Sequence, residues 1–294
     1  MTAAPAPSTT HTTAQALKAL RLPSMARSWH ELASDATEHA WSHERFLGAL
    51  CELELTERTN RRLASRLMAA KLPPGKRLDS FEFGLVPGLS RARVEALGAG
   101  DWIRAAGNCL LFGGSGTGKS HIAAAIGYAL IEAGHSVLFV RTTDLVQRLQ
   151  AARRDLALPA LLAKLDRIDC LILDDLGYVR KDQSETSILF ELIAERYEHR
   201  SLIITCDRPF ADWASIFTDQ IMTVAAIDRL VHHATILEFG CESYRKRTAG
   251  QRVNALTPPV VTAPGMAVQN TVAHQPRPSG RRSAASTRAT DVAG

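Results

Sequence analysis

The run Gly113-Gly114-Ser115-Gly116-Thr117-Gly118-Lys119-Ser120 constrains this chain more than any other, because it fits GxxxxGK[ST] at every position. Glycines at this spacing let the backbone curl until successive N–H groups face inward, which makes a cradle for phosphate oxygens. Lys119 adds a point charge at the β- and γ-phosphates, and the Ser120 hydroxyl is placed as a ligand for Mg²⁺. The helix that starts here turns its positive end toward the same phosphates. The context agrees with the motif. Asn108 to Phe112 is an apolar, strand-like run, and Ser120 to Ala133 has helical character with Gly134 as a stop, which is the strand–loop–helix arrangement a phosphate loop requires. A nucleoside triphosphate, ATP above all, is the expected ligand, with His121 just beyond the loop.

A phosphate loop needs a metal-holding acid nearby. Cys170-Leu171-Ile172-Leu173-Asp174-Asp175 is an apolar strand ending in two carboxylates, 55 residues from Lys119 to Asp174. Asp174 is placed to hold the magnesium ion through water, and Asp175 to orient or deprotonate the attacking water. A further apolar run, Ser201 to Thr205, ends in Thr205-Cys206-Asp207. A polar side chain there either reaches the γ-phosphate or the water, or simply caps the element that follows.

Ser136 to Val140 and Thr235 to Phe239 complete a set of five apolar runs. Amphipathic segments near 119–133, 143–153, 184–199 and 219–232 lie between them. Strands alternating with helices predict an α/β fold with a five-stranded parallel sheet and helices on both faces. Residues 14 to about 78 read differently, as a small all-α domain. Leu17 and Leu20 precede Pro23; Met25, Trp29 and Leu32 share one helical face; a third helix runs from Ser42 to about Lys71 before Pro73-Pro74-Gly75. The expected division is residues 1–13 disordered, 14–78 helical, 79–248 nucleotide-binding, and 249–294 a disordered basic tail. The 44 residues from Gln251 carry five arginines and one acid, and their composition cannot bury enough apolar surface to fold alone.

Charge narrows the partners. The chain of 294 residues has a formal charge of +5, and a basic balance favours polyanions such as nucleic acid. Thr56 to Arg77 concentrates Arg58, Arg61, Arg62, Arg66, Lys71, Lys76 and Arg77 against Glu57 alone. Arg58, Arg62 and Arg66 recur every four residues and form a stripe, suited to the phosphate backbone of duplex DNA. No aromatics interleave them, which disfavours single-strand stacking. The five cysteines form no CxxC pair, so neither a disulfide framework nor a structural zinc site is expected. His232 and His233, adjacent and thus about 100° apart on a helix, make a poor shared metal site. No run approaches the roughly 18 apolar residues of a membrane span, and Met1 to Thr13 lacks the apolar core of a secretory signal. A cytoplasmic protein with no membrane partner is expected.

Taken together, the phosphate loop with His121, Leu171-Ile172-Leu173-Asp174-Asp175-Leu176-Gly177-Tyr178, Leu192-Ile193-Ala194-Glu195-Arg196-Tyr197, Asp228-Arg229-Leu230-Val231-His232-His233-Ala234 and Glu242-Ser243-Tyr244-Arg245 resemble IstB. Leu20-Arg21-Leu22-Pro23-Ser24-Met25-Ala26 does so too. IstB is the ATP-binding helper of one class of bacterial insertion sequences, similar to the helicase loader DnaC, and both are AAA+ ATPases. The resemblance covers about residues 14 to 248. It implies ATP-dependent self-association on duplex DNA and presentation of that DNA to a cognate transposase, with the ATP site between subunits. Arg229 matches the arginine finger that reaches the neighbour's γ-phosphate, and Arg245 matches a second, nucleotide-sensing arginine. A DnaC-type loader is the alternative implied by the shared site chemistry. A small-molecule kinase would need an arginine-bearing lid that is not apparent. The chain departs from the family pattern twice. Asp175 stands where Glu is usual, about 1.5 Å shorter in reach, and Asp207 stands where Asn is usual, facing phosphate oxygens with a charge of the same sign. Both changes leave phosphate binding in place and bear on hydrolysis, so secure ATP binding with slow turnover is expected.

Overall fold

The structure, a computed structural model, describes residues 10–177, 182–215, 217, 219–240, 243 and 244. The expected disordered tail, Tyr178 and Arg245 lie outside them. Three helices open the chain: α1 (Thr10–Ala19), α2 (Pro23–Glu38) and α3 (His43–Ala70). Pro23 occupies the first turn of α2, where a missing N–H costs nothing. Ser42 caps α3 by accepting the Arg45 amide at 3.2 Å, so the sequence signal at Ser42 marks the true helix start.

Two 3₁₀ turns, Leu78–Ser80 and Phe83–Leu85, lead to α4 (Arg91–Ala99) and the short α5 (Asp101–Arg104). The sheet then begins: β1 (Asn108–Gly113), α6 (Lys119–Glu132), β2 (Val137–Arg141), α7 (Thr142–Arg154), α8 (Leu158–Asp166), β3 (Cys170–Asp174), α9 (Gln183–Arg196), β4 (Ser201–Cys206), a 3₁₀ segment Phe210–Ser215, α10 (Gln220–Val231) and β5 (Ala234–Phe239). Strand order is β2-β3-β4-β1-β5, and every pairing is parallel. The expected five-stranded parallel sheet is therefore present, with its five strands where the apolar runs stand.

Side-chain alternation explains why these runs make a two-faced sheet. Leu110 and Phe112 of β1, Leu171 and Leu173 of β3, and Leu202, Ile204 and Cys206 of β4 face one apolar cluster shared with α7, α8, α9 and α10. Cys109 and Leu111, Cys170 and Ile172, and Ile203 face the other, shared with α4 and α6. Strands buried on both faces read as continuous apolar runs, and successive residues still part to opposite sides. Cys109, Cys170 and Cys206 are free and buried, and burial pushes the Cys109 thiol up to about 12. These thiols pack as small apolar groups.

The end of α3 belongs to that second core. Ala70 is fully buried there, and Leu63 and Leu67 pack against it. The first half of α3 instead holds α2. Glu54, buried at their contact, accepts the Ser24 amide at 2.8 Å and the Met25 amide at 3.2 Å. Burial alone raises the Glu54 pKa, but the Met25 and Ser24 amides and Arg58 outweigh it and hold the carboxyl below its ordinary value. Its carboxylate thus serves as an N-terminal cap supplied from another helix, satisfying orphan donors at the start of α2.

Candidate functional site

In a parallel sheet, ligands gather outside the carboxyl ends of the strands where the order of connection reverses. Here β1 lies between β4 and β5, with β3 next to β4. The loop after β1 and the ends of β3 and β4 therefore meet on one edge. Register makes the alignment tight: Leu173 pairs with Ile204, and Leu111 with Thr205. Asp174 and Thr205, one step further along, stand level.

The phosphate loop has the expected form. Gly118, the cap of α6, has φ 104°, and a Cβ there would lie 2.7 Å from the Phe81 ring. Gly113 has φ 151°, and a Cβ there would lie 2.6 Å from the Phe239 carbonyl oxygen. Both positions need a residue without a side chain. Lys119 Nζ donates to the Gly113 carbonyl at 2.6 Å and the Gly114 carbonyl at 2.9 Å, and Thr117 Oγ1 donates to Gly114 at 2.9 Å. Burial lowers the Lys119 pKa, against which Asp175, Asp207, Cys206 and Asp174 act to raise it.

A cavity of about 510 Å³ opens over this loop, with Ser115 to His121, Asp175 and Asp207 on its polar side. Phe81, Leu85 and Val86 form its apolar wall, and Tyr244 closes in from the far end of the chain. The Tyr244 amide donates to the Gly116 carbonyl at 3.0 Å. This volume suits a nucleotide-sized ligand, with an apolar wall for a base and convergent polar groups for phosphates. His121 Nε2 lies 3.0 Å from the Arg77 carbonyl and 3.3 Å from Ser80 Oγ, and its ring meets Phe81 edge-on. His121 thus fastens the 76–86 segment to α6. The wall residues Phe81, Leu85, Val86 and Tyr244 were not legible as site residues; the cluster Phe81-Glu82-Phe83-Gly84-Leu85 was the one available signal.

The acids are arranged around Lys119. Asp174 is buried at the end of β3, and Thr205 Oγ1 donates to its Oδ1 at 2.6 Å. Asp175 has φ 58°, a left-handed conformation rare for a residue with a side chain and costing of order 1–3 kcal/mol. Burial raises the Asp175 pKa, Asp174 and Asp207 add to the rise, and Lys119 and Arg141 oppose it. A carboxylate in such a position is chemically able to accept a proton.

Arg229 is elsewhere. It does not line the cavity. It sits near the last turn of α10, beside Leu230, whose carbonyl accepts from Asn108 at the start of β1. That is the amino end of the sheet, opposite the phosphate loop. Its guanidinium bonds the Ala225 carbonyl at 3.1 Å and lies over the Phe190 ring at 5.0 Å and the Tyr197 ring at 5.9 Å.

The basic residues of α3 divide into two sets. Arg58 Nε donates to Glu54 at 3.0 Å and its NH2 to the Arg21 carbonyl at 2.7 Å, while Arg61 bonds Ser24 Oγ at 2.7 Å. These two tie α3 to α2 and the turn before it. Arg62 and Lys71 are exposed and Arg66 half-buried, with Lys71 forming the left-handed end of α3 at φ 53°. His232 and His233 lie beyond the last residue of α10, so helical spacing does not govern them. Their ligand atoms come within 4.8 Å of each other and of Glu198, all three residues being exposed. Among the described residues no helix is long and apolar enough to cross a membrane.

Comparison with known proteins shows the family. The model of the IstB-like ATP binding protein family matches residues 15–252. The chain belongs to that family. An insertion sequence ATP-binding protein of Sinorhizobium fredii (strain NBRC 101917 / NGR234) is 57% identical over 234 residues, 79% of this chain and 78% of the relative. The IS21 insertion sequence ATP-binding protein of Pseudomonas aeruginosa is 35% identical over 245 residues, 82% of this chain and 92% of the relative. Among solved structures, AMPPCP-bound DnaA from Aquifex aeolicus superposes with a TM-score of 0.50 at 16% identity, covering 65% of this chain and 58% of that one. The DnaA likeness shows the fold alone, a parallel sheet flanked by helices with a loop and helix after its first strand. Its loop and cavity fit the nucleotide for which that family is named.

Proposed function

We propose that this protein is an ATP-dependent helper of DNA transposition that self-associates on duplex DNA, presents the DNA to a cognate transposase and hydrolyses ATP slowly. One observation carries the reading: the phosphate loop and its acids converge within one chain, while Arg229 stands at the opposite end of the sheet. An arginine so placed reaches a γ-phosphate only on another copy, where a guanidinium stabilises the charge spread over the transferring group. Relatives named as insertion sequence ATP-binding proteins favour transposition over helicase loading.

Within the site, Ser120 and Asp174 would hold magnesium. A hydroxyl and a carboxylate are the hard oxygen donors this ion selects; Ser120 lines the cavity and Asp174 ends β3 near Lys119. When bound, the ion neutralises charge on the β- and γ-phosphates. Asp175 takes the proton of the attacking water, and Phe81, Leu85 and Val86 receive the adenine. Arg62 and Arg66 of the predicted stripe, with the exposed Lys71, are left to face the DNA backbone; Arg58 and Arg61 support them by fixing α2. Arg245, outside the described residues, is proposed as a second contact to nucleotide.

The test is mass by light scattering with and without ATP and duplex DNA. Wild type is expected to form a large nucleotide-dependent species on DNA, and Arg229→Ala to bind ATP but lose turnover. A monomer under all conditions would remove the role of Arg229 between subunits. A companion experiment addresses slow turnover. Asp207 places a carboxylate in the cavity near Lys119, where it opposes incoming phosphate. Asp207→Asn is expected to tighten ATP binding about tenfold, near 1.4 kcal/mol, and to raise the hydrolysis rate. If neither constant moves, Asp207 is not what restrains the site.

A further inference from the structure

Thr205 is fully buried in β4, and three bonds fold the end of β3 around it. Its hydroxyl donates to Asp174 Oδ1 at 2.6 Å and accepts the Asp175 amide at 2.9 Å. Its carbonyl accepts the Leu176 amide at 2.9 Å. A hydroxyl is both donor and acceptor, so one small group can aim a carboxylate and anchor the next residue's backbone. The second bond falls on the residue held at φ 58°. A strained residue of this kind persists only where its surroundings over-determine it, and the Thr205 hydroxyl is the side-chain partner of its amide.

We propose that Thr205 is the positioning residue of the hydrolytic site, its hydroxyl setting the direction of Asp174 and locking Asp175 in the left-handed turn that delivers its carboxylate to the cavity. This rests on the hydrolysis proposed above for its consequence, though not for its geometry. Thr205 does not line the cavity. It acts through the two acids, and an acid displaced by about 1 Å costs roughly a hundredfold in rate.

The experiment compares wild type with Thr205→Val, which keeps the shape and loses the hydroxyl, and Thr205→Ser, which keeps the hydroxyl. Two readouts are taken. In the nucleotide-free chain, amide hydrogen exchange at Asp175 is expected to accelerate in Thr205→Val and return in Thr205→Ser, while Leu176, bonded to the Thr205 carbonyl, stays protected. In turnover, Thr205→Val is expected to lower kcat about a hundredfold with KM for ATP changed less than about threefold, and Thr205→Ser to recover most of kcat. Exchange at Asp175 unaltered by Thr205→Val overturns the proposal, as does a loss of kcat that Thr205→Ser fails to recover. If Thr205→Val does not fold, Thr205→Cys, near in volume and a weak hydrogen-bonding group, takes its place. Loss of fold in both assigns Thr205 a purely structural role and overturns the proposal. A wild type that does not turn over ATP defeats the hydrolysis reading alone, and the exchange comparison still decides the geometry.

Discussion

Lys119→Met is expected to weaken ATP binding by about two to three orders of magnitude while leaving the melting temperature nearly unchanged. The lysine is the one cation of the phosphate loop, and its Nζ lies against the Gly113 and Gly114 carbonyls, at the mouth of the backbone cradle. Removing one partner of a hydrogen-bonded charge pair costs about 2–5 kcal/mol, and each 1.4 kcal/mol is about a factor of ten in affinity. Stability should respond differently. Burial lowers the Lys119 pKa, the mark of a cation the folded chain holds at a cost. Methionine keeps the apolar stem and removes that cost, and the Gly114 carbonyl keeps the Thr117 hydroxyl as its donor. Calorimetric titration with a non-hydrolysable ATP analogue, beside a thermal melt, separates the two effects. Equal affinity in the variant would mean that the loop is not the phosphate site. A collapsed melt would mean that Lys119 is structural.

The largest stability effect is expected far from the nucleotide. Arg196, at the end of α9, is 1% exposed. Its guanidinium donates to the Leu165 carbonyl at 2.9 Å, to Ile168 at 2.9 Å, to Asp169 at 3.4 Å and to Ser201 at 2.9 Å. One side chain thereby closes the end of α8, the loop into β3 and the start of β4. Burial lowers its pKa to about 10, so it remains charged at neutral pH and its bonds are charge-assisted. Arg196→Met would remove the donor to four carbonyls. Of these, Leu165 and Asp169 keep the Ile168 and Ser201 amides, while Ile168 and Ser201 lose their arginine partner. A stranded carbonyl costs about 1–3 kcal/mol. A total near 4 kcal/mol is expected, a fall in melting temperature of roughly 10 °C for a domain of this size. Arg196→Lys should recover little, because three donors radiating from one point cannot span acceptors on three segments as a planar fork does. Circular dichroism melts decide it, and a change below about 2 °C would show that solvent replaces the arginine. Nucleotide binding below the transition should persist, since Arg196 is remote from the cavity.

The motif around Leu192 to Tyr197 shows how sequence and structure divide the explanation. As a pattern it carried family resemblance, and nothing in it marked Arg196 as a clamp, because its acceptors are carbonyls whose identity leaves no trace in residue type. Leu158–Asp166 became a helix that periodicity had not singled out, as did Arg91–Ala99. Both are short, and short helices owe their stability to tertiary packing more than to propensity. The basic stripe on α3 was legible as a stripe. Its partition was not, since Arg58 and Arg61 find partners in α2 and the turn before it only after the helices pair.

What the sequence determined by itself is the chemistry that lies within one local run. The phosphate loop needs eight consecutive residues, with glycines where φ is positive and Lys119 at a fixed offset; its geometry follows from backbone sterics and so is written in residue type. The apolar strand ending in Asp174-Asp175 is legible for the same reason. Tertiary structure decided everything that depends on which strands become neighbours. Strand order placed β4 between β3 and β1, and register set Thr205 level with Asp174. The folding-back of residues 76–86 supplied the apolar wall of the cavity. The same order sent Arg229 to the far end of the sheet, away from its own chain's phosphate loop. Such placements arise from long-range pairing, where a residue's role is fixed by its partner and not by its neighbours in sequence.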